Sequence, residues 1–326
     1  VTRHCTIVHF EARNNNFGDE ACSELIRAFA NEVTHYIGLK NTGCGPLTGK
    51  EVGAGLRKPT ISWERLDLAE NELGKEGANH VWWAMRKNHS VLDLDMSNNK
   101  IGPVFGTEAD HLGEHGISID TALERNFTIR RLRMEGNGIS AEAGAMFADS
   151  LAANKSLADI NFSENNLDHI VGEHLGERLA HDRQIYSLDL SSNYMGWLGG
   201  QAIAQSLFTN RFLTILNLSD NKLGENGAKV GMQIARALYE NNVLKTLRLA
   251  GNRLGPASGT SFTKSLRRNK TLTVLDFANN RLDDEVGEKF LDLLEDNHAL
   301  VELGLSQVEI GTEFWTKIDE MMSERR

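Results

Sequence analysis

In residues 185–195 the apolar Leu188 and Leu190 alternate with polar neighbours, Asn193 ends the run, and Met195 adds one more apolar position. A period of two is that of a strand with one face buried. Leu213, Leu216, Leu218, Asn221 and Leu223 fill the same slots 28 residues on. Taking the first apolar residue of each central pair as an anchor gives Phe10, Ile37, Leu66, Leu94, Leu132, Ile160, Leu188, Leu216, Leu247, Leu275 and Leu303. Six of the ten intervals are 28, and the extremes are 27 and 38. Self-similarity at this period is the signature of a solenoid, whose turns bury their apolar faces only by stacking on one another. Eleven such turns account for nearly every residue, so one elongated domain over residues 1–326, without a linker, is predicted.

Five slots after the anchor stands asparagine in nine turns: Asn15, Asn71, Asn99, Asn137, Asn165, Asn193, Asn221, Asn252 and Asn280. An amide here can satisfy backbone groups of adjacent turns that would each cost roughly 1–3 kcal/mol if stranded. Thr42 and Val308 break the ladder. The second half of each turn reads as helix, with Phe147 and Leu151 at i and i+4 and equivalent pairs Val81/Met85, Leu175/Leu179, Ile203/Leu207, Phe262/Leu266 and Phe290/Leu294 facing the strands. Trp82 falls in a column of small residues and is expected to wedge between helices. Trp83 shares a column with Asp149, Glu177, Gln205, Lys264 and Asp292, and is expected on the outer helical face. Trp315 occupies a glycine slot of earlier turns and is expected to close the end of the core.

The motif Leu-x-x-Leu-x-Leu-x-x-Asn-x-Leu, as it stands in residues 213–223, followed by a helix, resembles the ribonuclease-inhibitor-like class of leucine-rich repeats. The resemblance covers nearly the whole chain. It implies an α/β solenoid, a horseshoe with a parallel β-sheet on the concave side and helices on the convex side. It also implies one of several functions, because the class includes enzyme inhibitors, nucleotide-binding receptor sensors, the activator of the Ran GTPase and scaffold subunits of cilia. The long acidic tail of the Ran activators has no counterpart in Glu324-Arg325-Arg326.

Composition narrows the partner. Charged residues make up 25% and hydrophobic ones 40%, and no apolar run is long enough to span a bilayer, so membrane insertion is not expected. The net charge of -10 disfavours free nucleic acid. Three cysteines, Cys5, Cys22 and Cys44, are odd in number and crowd the start of the chain; they read as reduced thiols in a cytosolic protein. The chain begins at Val1 and shows no signal peptide, and is expected to be a piece of something longer.

Residues one before, one after, three after and four after each anchor are expected on the concave sheet. There they supply twelve acids: Glu11, Asp67, Glu70, Asp93, Asp95, Glu135, Asp159, Glu164, Asp189, Asp220, Asp276 and Glu302. The bases are six: Arg13, Lys40, Arg65, Arg131, Arg133 and Arg248. This surface is expected to bind a partner protein with a basic face, in a hetero-complex. In the strand-to-helix loops most turns are polar or small, whereas Phe105, Ile170, Trp197 and Leu198 stand in matching slots beside Pro103, Val104, Pro256 and Ala257. With Trp83 they form a second candidate surface, at the rim and outer face.

The turn after Leu94 carries ten extra residues, falling roughly within 103–112, at a place where solenoid insertions often serve binding. His111-Leu-Gly-Glu114-His115 matches the spacing of one zinc-peptidase class. Gly113 interrupts the helix that such a site needs, and no cleft is foreseen, so no metal or cofactor is expected. Residues 45–50 lack the full phosphate-loop spacing and read as a turn. The expected function is that of a non-enzymatic protein–protein interaction scaffold, cytoplasmic and associated with the cytoskeleton or a cilium. Activation of a small GTPase of the Ran type, or an architectural place in a ciliary or cytoskeletal complex, are the alternatives.

Overall fold

The computed structural model of the protein describes residues 7–31, 33–102, 119–226 and 229–325. Contacts divide the chain into two compact units, Val1–Asn166 and Leu167–Arg326. Each is built from the same strand-and-helix turn.

The first unit holds strands β1 His9–Glu11, β2 Tyr36–Gly38, β3 Arg65–Asp67, β4 Asp93–Asp95, β5 Arg131–Arg133 and β6 Asp159–Asn161. Its helices are α1 Asp19–Phe29, α2 Pro46–Leu56, α3 Gly74–Met85, α4 Ile119–Arg125 and α5 Ala141–Ser150. Each strand pairs in parallel with the next, anchor opposite anchor, as Leu66 with Leu94 and Leu94 with Leu132. Side chains from strand and helix meet beneath: Phe162 stacks on Phe147 with ring centroids 4.2 Å apart. Trp63 is fully buried, and its indole N–H donates to the Phe29 carbonyl at 2.9 Å.

The second unit holds β7 Ser187–Asp189, β8 Ile215–Asn217, β9 Thr246–Arg248, β10 Val274–Asp276 and β11 Glu302–Gly304, again parallel and in sequence order. Its helices are α6 His169–His181, α7 Gly196–Ser206, α8 Lys229–Glu240, α9 Pro256–Arg268, α10 Asp284–Asp296 and α11 Thr312–Ser323. Phe262 meets Phe277 edge to face at 4.6 Å. In both units every strand is an anchor with one residue on either side, and the six predicted helical pairs are all buried.

Two asparagine ladders knit each unit. In the first, foreseen from spacing, Asn71 donates its amide to the Leu39, Leu68 and Ala69 carbonyls and accepts from the Thr42, Gly43 and Cys44 N–H groups of the preceding turn. The residue just before each ladder position is left-handed in all eleven turns, with φ from 52° at Asn279 to 67° at Gly251. That bend carries the chain out of the strand, and short polar residues such as Asn14, Asn41, Asn98 and Asn279 tolerate it better than most. The second ladder follows the helices. Asn126, Asn154, Asn241, Asn269 and Asn297 each donate to two carbonyls of the preceding turn, as Asn269 does to Leu238 and Asn241. Their oxygens accept the N–H groups two and three residues on. Beyond Asn297 the carbonyls of Leu294, Asn297 and Leu300 receive the Arg325 guanidinium.

Trp315 corrects an expectation. It is 43% exposed, and the buried apolar residues of the last turn include Leu305, Ile310, Ile318 and Met322. The register of α11 turns Phe314 toward Gly287, leaving Trp315 one step round the helix.

Candidate partner-binding surfaces

On the open face of the first unit's sheet several of the acids do not stand free. The Asp93 carboxylate, with its side chain only 10% exposed, is gripped by Arg131 at 3.0 Å and by Arg65 and Arg133 at 3.2 Å. Arg131 also holds Asp159 at 2.8 Å, and Lys40 holds Glu70 at 2.8 Å. Glu135 accepts the Asn161 amide at 3.0 Å. Glu11 is bound by Arg13 at 2.7 Å and accepts the Tyr36 hydroxyl at 2.6 Å. The Arg13 hydrogen bond brings the Glu11 pKa down to about 2, while burial and the Glu11 carboxylate push Tyr36 up to about 12. Asp67, Asp95 and Glu164 are in no ion pair among the described residues. Burial, with Asp95 nearby, raises the pKa of Asp67 even though the Ala69 N–H donates to it at 3.2 Å. Here pairing ties up Glu11, Glu70, Asp93 and Asp159, although acids still outnumber bases on this face.

The corresponding face of the second unit differs. Asp189 accepts the Asn217 amide at 2.9 Å and the Ser191 hydroxyl at 2.6 Å. Asp276 accepts the Ala278 N–H at 3.0 Å. Asp220 lies over Gly251, where a Cβ would collide with its carboxylate. Among the described residues no ion pair reaches Asp189, Asp220, Asp276 or Glu302, and Arg248, in register between Asn217 and Asp276, makes none either. Hydrogen bonds orient Asp189 and Asp276 and leave their charge uncompensated.

The rim in the second unit carries apolar groups at the start of α6 and α7. Ile170 is 43% exposed and Leu198 38%, while Trp197 is half-buried. Tyr194, 55% exposed, joins them, with the Lys222 ammonium 4.8 Å from its ring. Spacing pointed to the slots nine and ten after the anchor and so passed over Tyr194, which stands at the sixth. Phe105, with Pro103 and Val104, the insertion within 103–112 and the His111–Glu114–His115 motif lie outside the described residues.

Trp83 sits half-buried on the helix side of the first unit, its ring under Arg57 at 4.5 Å and Arg86 at 5.5 Å. It lines a hollow of about 290 Å³ with Lys50, Arg57 and His80, and burial lowers the His80 pKa. Trp82 is fully buried. Cys22 and Cys44 are buried free thiols joined through Thr42, whose hydroxyl lies 3.3 Å from the Cys44 sulfur. The hydrogen bond from Cys44 brings Cys22 down to about 7 and raises Cys44. Among the described residues no group of three or more His, Cys, Asp or Glu side chains is placed to hold a metal ion. No helix among them is long and apolar enough to cross a membrane.

A parallel sheet of one short strand per turn, a helix returning each turn, and an asparagine ladder at the bend define a leucine-rich-repeat protein. The Leucine Rich repeat family model matches at residues 87–104, 209–230 and 268–291, and the turns of this chain are leucine-rich repeats. Among solved structures, leiomodin-1 actin-binding site 2 aligns over 39% of this chain and 71% of its own, with 20% identity and a TM-score of 0.35. The C-terminal domain of tropomodulin from Caenorhabditis elegans aligns over 57% of this chain and 92% of its own, with 12% identity and a TM-score of 0.37. No curated protein matches the chain. Repeats of this kind form surfaces for protein–protein interaction.

Proposed function

We propose that the protein is a non-enzymatic scaffold that holds a basic segment of a partner protein on the open sheet face of residues 167–326. Asp189, Asp220, Asp276 and Glu302 would meet the partner's cations, and the rim of Ile170, Tyr194, Trp197 and Leu198 would supply apolar contact. One observation carries the reading. These carboxylates have no ion pair among the described residues, whereas Asp93, Asp159, Glu11 and Glu70 of the first unit already hold arginine or lysine. Uncompensated charge that is mostly of one sign on one face steers and orients a partner of the other.

The test is binding of a lysine-rich peptide, followed by fluorescence anisotropy at rising salt. Asp189→Lys/Asp276→Lys is expected to lower its affinity at least about tenfold and to flatten the salt dependence. Unchanged affinity and salt dependence would sink the proposal, as would multiple turnover of a substrate by the isolated chain, including accelerated GTP hydrolysis by Ran.

A further inference from the structure

The second unit carries a patch of opposite sign where each turn passes from helix to strand. The segments between helix and strand contain Arg183, Arg211, Lys245 and Lys270 against one acid, Asp182, whose carboxylate accepts the Gln184 and Ile185 N–H groups, in a chain of net charge -10. All four cations are exposed. Arg211 donates to the Asn210 carbonyl and Lys270 to the Asp296 carbonyl, while the Arg183 and Lys245 side chains make no hydrogen bond among the described residues. None of the four reaches a carboxylate among the described residues. Between them stand Tyr186, 39% exposed, Phe212, 42%, and Val301, 39%. Thr214 and Thr273 point their hydroxyls at the Tyr186 and Lys245 carbonyls of the preceding turns, so the loops lie in register.

We infer that this edge docks an extended acidic peptide segment of a partner protein, one whose carboxylates alternate with aromatic or aliphatic side chains. Neighbouring strands stand about 4.8 Å apart, so four consecutive turns span roughly 15 Å, the length of about five extended residues. Arg183, Arg211 and Lys270 stand five residues before their anchors and Lys245 two before its own, so the cations form a band across the edge; its guanidinium and ammonium groups meet carboxylates, and the exposed rings among them cover the apolar side chains. A single-stranded nucleic acid fits less well. Only four cations are present to displace its counterions, and a strand longer than their reach runs past the uncompensated Asp189, Asp220 and Asp276 a few residues further on. The edge is separate from the sheet face proposed above, and its partner carries the opposite charge.

The experiment uses a fluorescein-labelled peptide of alternating glutamate and tyrosine, with a lysine–tyrosine peptide of equal length and an oligouridylate as counter-probes. The glutamate peptide is expected to bind the full chain and to weaken at least about tenfold in Arg183→Glu/Lys245→Glu. Those two side chains are exposed and unbonded, so circular dichroism of the variant should match that of the parent. Binding by the parent is also expected to fall as salt rises, a readout that needs no variant. Absence of binding, indifference to the substitutions or to salt, or tighter capture of the oligouridylate than of the peptide would each overturn the inference. Loss of only the lysine peptide in Asp189→Lys/Asp276→Lys reports on the sheet face and leaves the edge standing.

Discussion

Replacing Asn221 by alanine probes the ladder at a fully buried rung. Its amide donates to the Leu190 carbonyl at 2.8 Å, to Ser219 at 3.0 Å and to Leu218 at 3.3 Å, and its oxygen accepts the Met195 N–H at 3.3 Å. The losses are unequal. Leu190 keeps the Asn193 amide, Leu218 keeps Asn252 and Ser219 keeps the Ser192 N–H, so each carbonyl loses a second bond rather than its only one. Met195 has no other acceptor among the described residues, and its N–H is stranded in the core. A stranded amide costs about 1–3 kcal/mol and each shared bond about 0.5–1.5 kcal/mol, so a loss of roughly 3–6 kcal/mol is expected. Asn15 fills the same slot but is exposed and, among the described residues, reaches only the Ala12 and Arg13 carbonyls of its own turn, so Asn15→Ala should cost less than about 1 kcal/mol. Urea unfolding gives both values, and hydrogen exchange at the Met195 amide should accelerate selectively in the Asn221 variant. Equal losses at the two sites, or an Asn221 loss below about 1 kcal/mol, would refute the cross-turn accounting.

Arg325→Met should cost about 1–3 kcal/mol by uncovering the Leu294, Asn297 and Leu300 carbonyls, seen as faster exchange in α10 and α11. Asp19 and Asp67 should respond to pH in opposite directions. Burial works to raise the pKa of Asp19, but hydrogen bonds from Thr48, Leu47 and Gly45 lower it overall, so its contribution is present above about pH 4 and lost as pH falls through the depressed value. Burial raises the pKa of Asp67, so its contribution is present below about pH 4 and lost as pH rises through the elevated value. Asp19→Asn should therefore destabilise near neutrality and converge with the parent in acid, whereas Asp67→Asn should match or exceed the parent near neutrality; chemical denaturation across pH checks both. Ile170→Ser/Leu198→Ser should leave the melting temperature within a few degrees while weakening partner capture, and a large fall in melting temperature would mark the rim as packing rather than surface.

Asp93 shows where reading the chain stops short. Its place on the sheet face follows from its distance to Leu94, but nothing local says that Arg65, Arg131 and Arg133, on strands 28 to 40 residues away, converge on its carboxylate. Counting charges by column therefore spread the acidity over both units, although the arginines quench much of it in the first. The alternation of arginine and aspartate at Arg65, Asp93, Arg131 and Asp159 was the available signal, since parallel register places those four side by side. Asp19 is similar: it begins α1, yet it accepts the Gly45, Leu47 and Thr48 N–H groups that open α2, a cap borrowed across turns.

By itself the sequence determined the turn: where each strand is centred, which helical pairs face inward, and which asparagines close the bend. Those features repeat with a fixed phase, so a local pattern copied eleven times specifies the same contacts each time. Only the tertiary structure decided which carboxylates remain uncompensated, that Tyr194 belongs to the rim, that Phe314 rather than Trp315 meets Gly287, and that cations gather at one edge of the second unit. Such outcomes depend on side chains meeting across a full turn or more, and on which rotamer reaches which neighbour. Periodicity carries no record of that choice.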